Sequence, residues 1–266
     1  MSDKLTALLG MLKNYKTIVV AFSGGVDSSF LAAAAQQSCD LGAVAVTVAS
    51  EFQSKREIAH AVHTAKEIGI RHVVLRTSVM GTMAIVQNHK DRCYHCKKKL
   101  FSSLTDWASS EGINTVVHGV NLDDLNDYRP GFKAAREMGI QSPLVDAGFN
   151  KEEIRLFSKM MGLETWNMQA QSCLATRIPY KRTLTTKDLA MVEKSEDFLF
   201  SLGVSAVRVR CHGDMARIEL DPDSIKIIAQ KDIRAAVVAK LKTLGFLYIA
   251  LDLEGYVPGS MNRERD

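Results

Sequence analysis

The stretch SGGVDSS, residues 23–29, stands directly after the apolar run 17–22 and opens the helical segment 28–37. The run is typical of a buried strand. A glycine-rich loop between a strand and a helix lets backbone N–H groups approach an anion, and the positive end of the helix points at that anion. We therefore interpret residues 23–29 as a phosphate-binding loop.

The polar side chains of this loop fit the same interpretation. The hydroxyls of Ser23 and Ser28 can donate hydrogen bonds to phosphate oxygens. Asp27 would repel a phosphate directly, so it fits best if Mg²⁺ bridges it to the phosphates. The stretch matches neither the Walker pattern nor the dinucleotide-binding pattern. The alternative is a Gly-Gly turn that Asp27 and Ser28 cap without any ligand.

Short apolar runs alternate with helical segments through the first half of the chain. Strands are predicted at 17–22, 43–48, 72–75 and 115–118, and helices at 28–37, 57–68, 97–109 and 151–161. Continuous apolar strands separated by helices indicate an α/β fold with a parallel sheet and helices on both faces. Residues 119–131 and 169–182 are predicted to be loops.

The pattern changes near Tyr180. A helix at 186–202, an antiparallel hairpin at 206–211 and 216–220, a helix at 223–244 and a strand at 246–251 predict a small α+β domain. We expect one domain over 1–180 and a second, for substrate binding or oligomerisation, over 181–266.

The composition is that of an ordinary globular chain, with 266 residues, 46% apolar content and a net charge of +4. This mild excess suits phosphate-bearing ligands but makes nucleic acid an unlikely partner. We expect no membrane span, since the apolar runs are too short. The N-terminal segment is too charged for a signal peptide, so we expect a cytoplasmic protein.

Three of the five cysteines occur in polar contexts. Cys93 and Cys96 are three residues apart at a predicted helix start, and Cys173 lies in the loop 169–182. Three thiolates can hold a [4Fe–4S] cluster with one iron left open. Zinc with His95, a redox pair and three unrelated buried cysteines are the alternatives.

Six stretches together resemble the LarE family of the PP-loop superfamily. They are AFSGGVDSS (21–29), DRCYHCKKKLF (91–101), GVNLDDLNDYRPG (119–131), SCLATRIPY (172–180), VRVRCHGDMARIEL (207–220) and LGFLYIALDLEGY (244–256). PP-loop enzymes adenylate a carbonyl or carboxyl oxygen, release pyrophosphate and let a nucleophile displace AMP. The LarE family makes the pyridinium cofactor of nickel-pincer enzymes such as lactate racemase.

The resemblance implies an ATP-dependent sulfur transferase. Its substrate would be pyridinium-3,5-biscarboxylic acid mononucleotide, one carboxylate of which becomes a thiocarboxylate. ATP and Mg²⁺ are the implied cofactors of a PP-loop domain, and we expect a homo-oligomer. The implied ATP-binding residues are Ser23, Gly24, Gly25, Asp27, Ser28 and Ser29.

The source of sulfur divides the family into two branches. One branch sacrifices a cysteine at the position of Cys173, and the other holds a [4Fe–4S] cluster on three cysteines and needs a sulfide donor. Cys93, Cys96 and Cys173 match the three-cysteine branch. Two positions depart from the family pattern, because Lys181 stands where glycine is usual and His118 where Asp is frequent.

Further candidate residues lie on a strand and a loop. Arg208 and Arg210 alternate on one strand, so both face the same side and would suit the substrate's phosphate. The alternative is a solvated strand face. Asp124, Asp127 and Arg129 follow the fourth strand, where open α/β sheets bind ligands, and the alternative is a capped surface turn.

Three other functions compete with this interpretation. A tRNA-thiolating PP-loop enzyme would share the loop and the cluster, but it should carry a tRNA-binding domain or zinc ribbons. A non-catalytic iron–sulfur or AMP-binding protein would not need Asp27 and Ser28. An amide-forming synthetase that uses ammonia would be expected to carry a glutaminase segment.

Overall fold

The computed structural model describes residues 3–39, 42–126, 130–169 and 171–257. Two compact units divide the chain. The first comprises Met1–Val79 and Asp91–Gln171, and the second comprises Met80–Lys90 and Ser172–Asp266.

The first unit is built on a four-stranded sheet. Its strands are β1 (Ile18–Ala21), β2 (Ala43–Ala49), β3 (Arg71–Arg76) and β4 (Val116–His118). Their order is β3-β2-β1-β4, and all three neighbouring pairs are parallel. The predicted parallel sheet is thereby confirmed.

Eleven α-helices occur in the described part of the chain, and none of them is long and apolar enough to cross a membrane. They are α1 (Asp3–Asn14), α2 (Val26–Ser38), α3 (Lys55–Ile68), α4 (Met83–Val86), α5 (Arg92–Ser110), α6 (Pro130–Glu137), α7 (Pro143–Asp146), α8 (Lys151–Met160), α9 (Thr186–Ser201), α10 (Pro222–Ala229) and α11 (Lys231–Leu244). Short 3₁₀ turns lie at Asp123–Asn126, Glu164–Asn167 and Leu174–Arg177.

Helices cover both faces of the four-stranded sheet. Ile18 and Val20 on β1 pack in one apolar cluster with residues of α1, α2, α3 and α8. Val19 between them belongs to a second cluster, which includes Phe101 of α5 and Ala135 of α6. Because neighbouring strand residues point to opposite faces, this alternation explains why the strand sequence is apolar throughout.

Side-chain caps mark the start of two helices in the first unit. Asn150 caps α8 by accepting from the Glu153 N–H, and Glu153 accepts from the Asn150 N–H in return. Ser54 caps α3 in the same way. Helix α5 begins at Arg92, five residues before its predicted start at Lys97, so its first two turns contain both cysteines of the C-x-x-C pair.

The second unit contains a three-stranded mixed sheet of β5 (Val207–His212), β6 (Met215–Leu220) and β7 (Tyr248–Leu251). Strands β5 and β6 form the predicted antiparallel hairpin, and β7 runs parallel to β6. The prediction of one helix over 223–244 is wrong. The backbone of Gln230 is extended (φ −59°, ψ 136°), so α10 ends before it and α11 begins after it.

Residues Met80–Lys90 join the second unit through main-chain hydrogen bonds that the sequence did not predict. The Leu184 N–H donates to the Val86 carbonyl at 2.8 Å, and the Lys181 N–H donates to the Asn88 carbonyl at 3.0 Å. Asn88 is buried, and its side-chain amide donates to the carbonyls of Ile178 and Pro179. The division into domains over 1–180 and 181–266 stays a prediction.

Lys181 adopts the left-handed backbone conformation that glycine favours, with φ 66°. A side chain costs about 1–2 kcal/mol in this region, whereas glycine loses about 0.5–1 kcal/mol more entropy on folding. We therefore expect Lys181→Gly to raise the free energy of unfolding by about 0.5–1 kcal/mol. Chemical denaturation measures it, with Lys181→Ala as the control that keeps Cβ. A glycine variant less stable than the alanine variant would contradict the argument.

Candidate functional site

The loop between β1 and α2 bends sharply at Gly24. This glycine has φ 73°, and a Cβ placed on it would lie 2.8 Å from the Cα of Ala61 in α3. Atoms that are not bonded to each other do not approach so closely, so no other residue fits here without moving α3. The loop therefore lies against α3, at the N-terminal end of α2.

Serine hydroxyls hold the loop in shape. The Ser23 N–H donates to Ser28 Oγ at 3.3 Å, and Ser28 Oγ donates to the Gly25 carbonyl at 3.1 Å. The Gly25 N–H donates to Ser23 Oγ at 3.3 Å. The first N–H groups of α2 have no acceptor within the helix, so they are available to an anion. The Ser29 hydroxyl, in contrast, is buried in the interior.

The entry to the loop is fixed by the neighbouring strands. The Phe22 N–H donates to the Val46 carbonyl at 2.9 Å, and the Thr47 hydroxyl donates to the Phe22 carbonyl at 2.8 Å. Since a hydroxyl has one hydrogen, His72 Nε2 must be the donor in its 2.9 Å contact with Thr47 Oγ1. Burial lowers the pKa of His72, which favours this neutral tautomer.

The loops after β1 and β4 meet at their carboxyl ends. The chain leaves β1 toward β2 and β3 and later returns to β4 on the other side, so the strand order reverses between β1 and β4. Ligands of open α/β sheets bind at such reversals. A Cβ on Gly119, directly after β4, would lie 2.9 Å from the Ser28 nitrogen, so only glycine allows this approach.

Both carboxylate oxygens of Asp27 accept hydrogen bonds at this point. Asn121 Nδ2 donates to Oδ1 at 3.1 Å, and Lys151 Nζ donates to Oδ2 at 2.5 Å. Asn121 is buried, and its own Oδ1 accepts from the Asp123 N–H at 2.9 Å. Asp27 is therefore held in a defined position, with a cation as its partner.

Lys151 and Asn121 were not predicted as site residues. Lys151 is the first residue of α8, where a cation is disfavoured by the helix dipole. That unfavourable placement, directly after the N-cap Asn150, is the one sequence signal that could have drawn attention to Lys151. Asn121 lies in the stretch GVNLDD, where the neighbouring aspartates drew the attention instead.

The other candidate residues, which lie in β4 and in the loop after it, differ in their surroundings. Asp124 accepts a hydrogen bond from the Asn121 N–H at 3.2 Å, as expected of a residue that caps a turn. Asp127 and Arg129 lie outside the described residues. His118 is buried, its Nε2 contacts Ser142 Oγ at 2.8 Å, and burial together with nearby Lys97 lowers its pKa to about 4. His118 is therefore neutral near pH 7.

Cys93 and Cys96 lie about one turn apart at the N-terminal end of α5. Neither cysteine forms a disulfide, both are half-buried, and a separation of three residues places them on one helix face. The positive end of the helix favours thiolates, and Arg92 Nη2 lies 4.0 Å from Cys93 Sγ. The described part of the chain also brings His63, Glu67 and Glu164 together, but all three are exposed.

Cys173 precedes a 3₁₀ turn in the second unit, and an arginine holds its backbone. Arg177 Nη1 donates to the Cys173 carbonyl at 3.1 Å and to the Ser172 carbonyl at 2.5 Å. The same guanidinium donates from Nε and Nη2 to the two oxygens of Glu196, at 2.9 and 3.0 Å. Both side chains are buried, so this bidentate pair fixes the turn that carries Cys173.

Arg208 and Arg210 are also buried, with 8% and 4% exposure, so they do not form a solvated strand face. Arg210 Nη2 donates to Glu219 Oε2 at 2.7 Å, and its Nη1 donates to the Thr176 carbonyl at 3.1 Å. Arg208 donates to the Val207 carbonyl. Burial and the nearby Arg177 lower the pKa of Arg208, while Glu196 raises it.

Comparisons with known proteins identify the family of the chain. The family model described as asparagine synthase matches residues 11–106. Pyridinium-3,5-bisthiocarboxylic acid mononucleotide synthase of Lactiplantibacillus plantarum is 37% identical over 263 residues, which cover 98% of this chain and 95% of that protein.

Two uncharacterized proteins are also similar. One, from Synechocystis sp., is 39% identical over 263 residues, 99% of this chain and 98% of that protein. The other, from Methanocaldococcus jannaschii, is 31% identical over 241 residues, 91% of each chain. The match to the synthase covers nearly the whole chain, and the geometry of the loop fits it. The chain belongs to the LarE family of ATP-dependent sulfur transferases, within the PP-loop superfamily.

Proposed function

We propose that this protein adenylates a carboxylate of pyridinium-3,5-biscarboxylic acid mononucleotide with ATP and converts it to a thiocarboxylate for the nickel-pincer cofactor. One observation carries the proposal. The loop 23–28, Gly119 and the Asp27 carboxylate meet where the strand order reverses, in a chain that is 37% identical to a synthase named for the bisthiocarboxylic acid mononucleotide.

The loop residues fit the triphosphate of ATP. The Ser23 hydroxyl and the first N–H groups of α2 offer donors to phosphate oxygens, and the Ser28 hydroxyl would add one on turning away from the Gly25 carbonyl. Gly24 and Gly119 let the backbone pack closely against α3 and against the first turn of α2. Asp27 would hold Mg²⁺, which prefers carboxylate oxygens and would neutralise charge on the departing pyrophosphate. Lys151 occupies Asp27 Oδ2 and would have to release it to a metal ion.

The chemistry proceeds in two displacements. A carboxylate oxygen of the substrate attacks the α-phosphorus of ATP, the bond to the bridging oxygen breaks, and pyrophosphate leaves. The donors of the loop stabilise the charge that develops on the pyrophosphate. Hydrosulfide then attacks the acyl carbon of the mixed anhydride, the bond to the AMP oxygen breaks, and a proton is released. The products are a thiocarboxylate and AMP.

The substrate's own phosphate would bind to the arginines of β5. A buried guanidinium binds a phosphate through two parallel hydrogen bonds and distinguishes it from neutral groups. Arg208 and Arg210 are buried beside the turn that carries Cys173, since Arg210 donates to the Thr176 carbonyl and Arg177 to the Cys173 carbonyl. This arrangement supports a substrate site near that cysteine.

Cys93, Cys96 and Cys173 would hold a [4Fe–4S] cluster. The paired thiols at the positive end of α5 suit two of the three ligands. Such a cluster, when bound, supplies an iron without a protein ligand that can carry sulfide from an external donor. Sacrifice of the Cys173 sulfur is the alternative source, and it would require neither Cys93 nor Cys96. A cytoplasmic location and a homo-oligomeric state stay predictions.

Asp27 and Lys151 give a first test with opposite outcomes. Asp27→Asn should lower ATP-dependent pyrophosphate release by about a hundredfold or more, because the carboxylate ligand is lost. Lys151→Met should strengthen Mn²⁺ binding without nucleotide, because Oδ2 is then free for the metal. Electron paramagnetic resonance of added Mn²⁺ measures this binding, with Lys159→Met on the same helix as the control. If Mn²⁺ binding is unchanged in Asp27→Asn and also in Lys151→Met, Asp27 is excluded as the metal ligand.

The arginines of β5 give a second test. Arg208→Ala and Arg210→Ala should each raise the KM for the mononucleotide tenfold or more, about 1.5–3 kcal/mol, and leave the KM for ATP unchanged. Arg210→Ala should also lower the free energy of unfolding by about 3 kcal/mol, because it removes a partner of buried Glu219. Steady-state kinetics and denaturation measure the two effects. Equal changes in both KM values would contradict a role in binding the substrate's phosphate.

The cysteines give a third test, of the sulfur source. Cys→Ala at 93, 96 or 173 should each abolish the visible absorbance of the cluster and the thiocarboxylate product, while pyrophosphate release survives. Cys39→Ala, at the C-cap of α2, where the buried cysteine forms no disulfide, is the control. The experiment uses protein purified without oxygen. A wild-type protein that loses the mass of H₂S at Cys173 after turnover, or full activity of Cys93→Ala, would favour the sacrificial route.

A further inference from the structure

Arg208 differs from the arginines around it in its partners. Arg177 is paired with Glu196, Arg210 with Glu219, and Arg217 with Glu219 and Asp252. Arg208 has no carboxylate partner among the described residues. Its Nη1 donates to the Val207 carbonyl at 2.8 Å, and its buried Nε has no hydrogen-bond partner. One edge of this guanidinium, formed by Nε and Nη2, therefore makes no hydrogen bond with the described residues, and we call it the open edge.

The ring of Tyr256 lies over this guanidinium, 4.9 Å from its Cζ. The face of an aromatic ring attracts a cation without accepting its in-plane N–H hydrogens. The ring therefore restrains the Arg208 guanidinium without using the hydrogens of its Nε and Nη2 edge. An arginine that is restrained in this way loses less entropy when it binds a planar or tetrahedral oxyanion.

Backbone contacts of the segment after β7 place Tyr256 beside Arg208. The Asp252 N–H donates to the Ile218 carbonyl at 2.9 Å, and the Tyr256 N–H donates to the Leu220 carbonyl at 2.9 Å. Between them, Gly255 has φ 72°, and a Cβ on it would lie 2.5 Å from the Leu220 carbonyl oxygen. The segment thus follows the end of β6 so closely that only glycine fits before the tyrosine.

We propose that Tyr256 is a positioning residue, which holds the Arg208 guanidinium so that its open edge binds the phosphate of the mononucleotide substrate. The inference rests on the proposed function, because it takes that phosphate as the anion at Arg208. The inference adds a residue of the C-terminal segment to the site. The ring of Tyr256, and not its hydroxyl, positions Arg208, since no hydrogen bond of the hydroxyl is among the described contacts.

Kinetics of Tyr256 variants test the proposal. Tyr256→Leu should raise the KM for the mononucleotide about tenfold and leave the KM for ATP unchanged, since a cation–π contact with a desolvated guanidinium is lost. Tyr256→Phe keeps the ring and should stay within about twofold of the wild type. In an Arg208→Ala background, Tyr256→Leu should have no further effect, because the group it positions is absent.

Gly255→Ala provides a second route to the same answer, because its Cβ would push the segment away from Leu220 and displace the ring. Thermal melting of each variant separates this effect from loss of the fold. The role of Tyr256 would be overturned if Tyr256→Leu and Gly255→Ala kept the wild-type KM for the mononucleotide while Arg208→Ala raised it. The phosphate site would then still stand. An Arg208→Ala variant with wild-type KM would overturn both the phosphate site and the inference.

Discussion

The candidate site depends on how closely backbone packs against the first turn of α2. Gly24 touches α3 at Ala61, and Gly119 touches the Ser28 nitrogen, each at a distance that a side chain would prevent. These two contacts bring the loops after β1 and β4 together. Only because they meet can Asn121, which is far from Asp27 in sequence, hydrogen-bond to the Asp27 carboxylate.

In each unit, partners of opposite charge neutralise charged side chains of the candidate site. In the first unit, the anionic Asp27 lies at the positive end of a helix and is neutralised by Lys151. In the second unit, buried carboxylates neutralise Arg177 and Arg210, whereas Arg208 lies over the ring of Tyr256. Removing a charge from water is costly unless a partner is present. Arg208, which is buried and forms no ion pair with a carboxylate of the described residues, would gain a partner from a bound phosphate.

Local patterns in the sequence predicted much of the fold. The apolar runs predicted all four strands of the first sheet, because strands covered on both faces need apolar residues at every position. The hairpin and the start of α8 at residue 151 were also predicted, since turn and capping residues act within a few positions. The break at Gln230 was not predicted, because neither a glycine nor a proline marks it.

Features that depend on contacts distant in sequence were not predictable. The bonds of Val86 and Asn88 to residues 181–184 and the pairing of Lys151 with Asp27 join segments whose meeting only the complete fold determines. The alternation of Arg208 and Arg210 predicted that they share a face, but alternation alone does not tell which face is buried. Lys181 stands where glycine is usual, yet its backbone has kept a left-handed conformation.

The central claim is that the substrate's carboxylate attacks the α-phosphorus of ATP. The most direct measurement uses the mononucleotide with ¹⁸O in its carboxylates and ordinary ATP, and determines by mass spectrometry where the label is after turnover. The account predicts that AMP carries one ¹⁸O, because the anhydride oxygen comes from the carboxylate and leaves with AMP when sulfur displaces it. AMP without the label, or AMP that takes its oxygen from labelled water, would contradict the account.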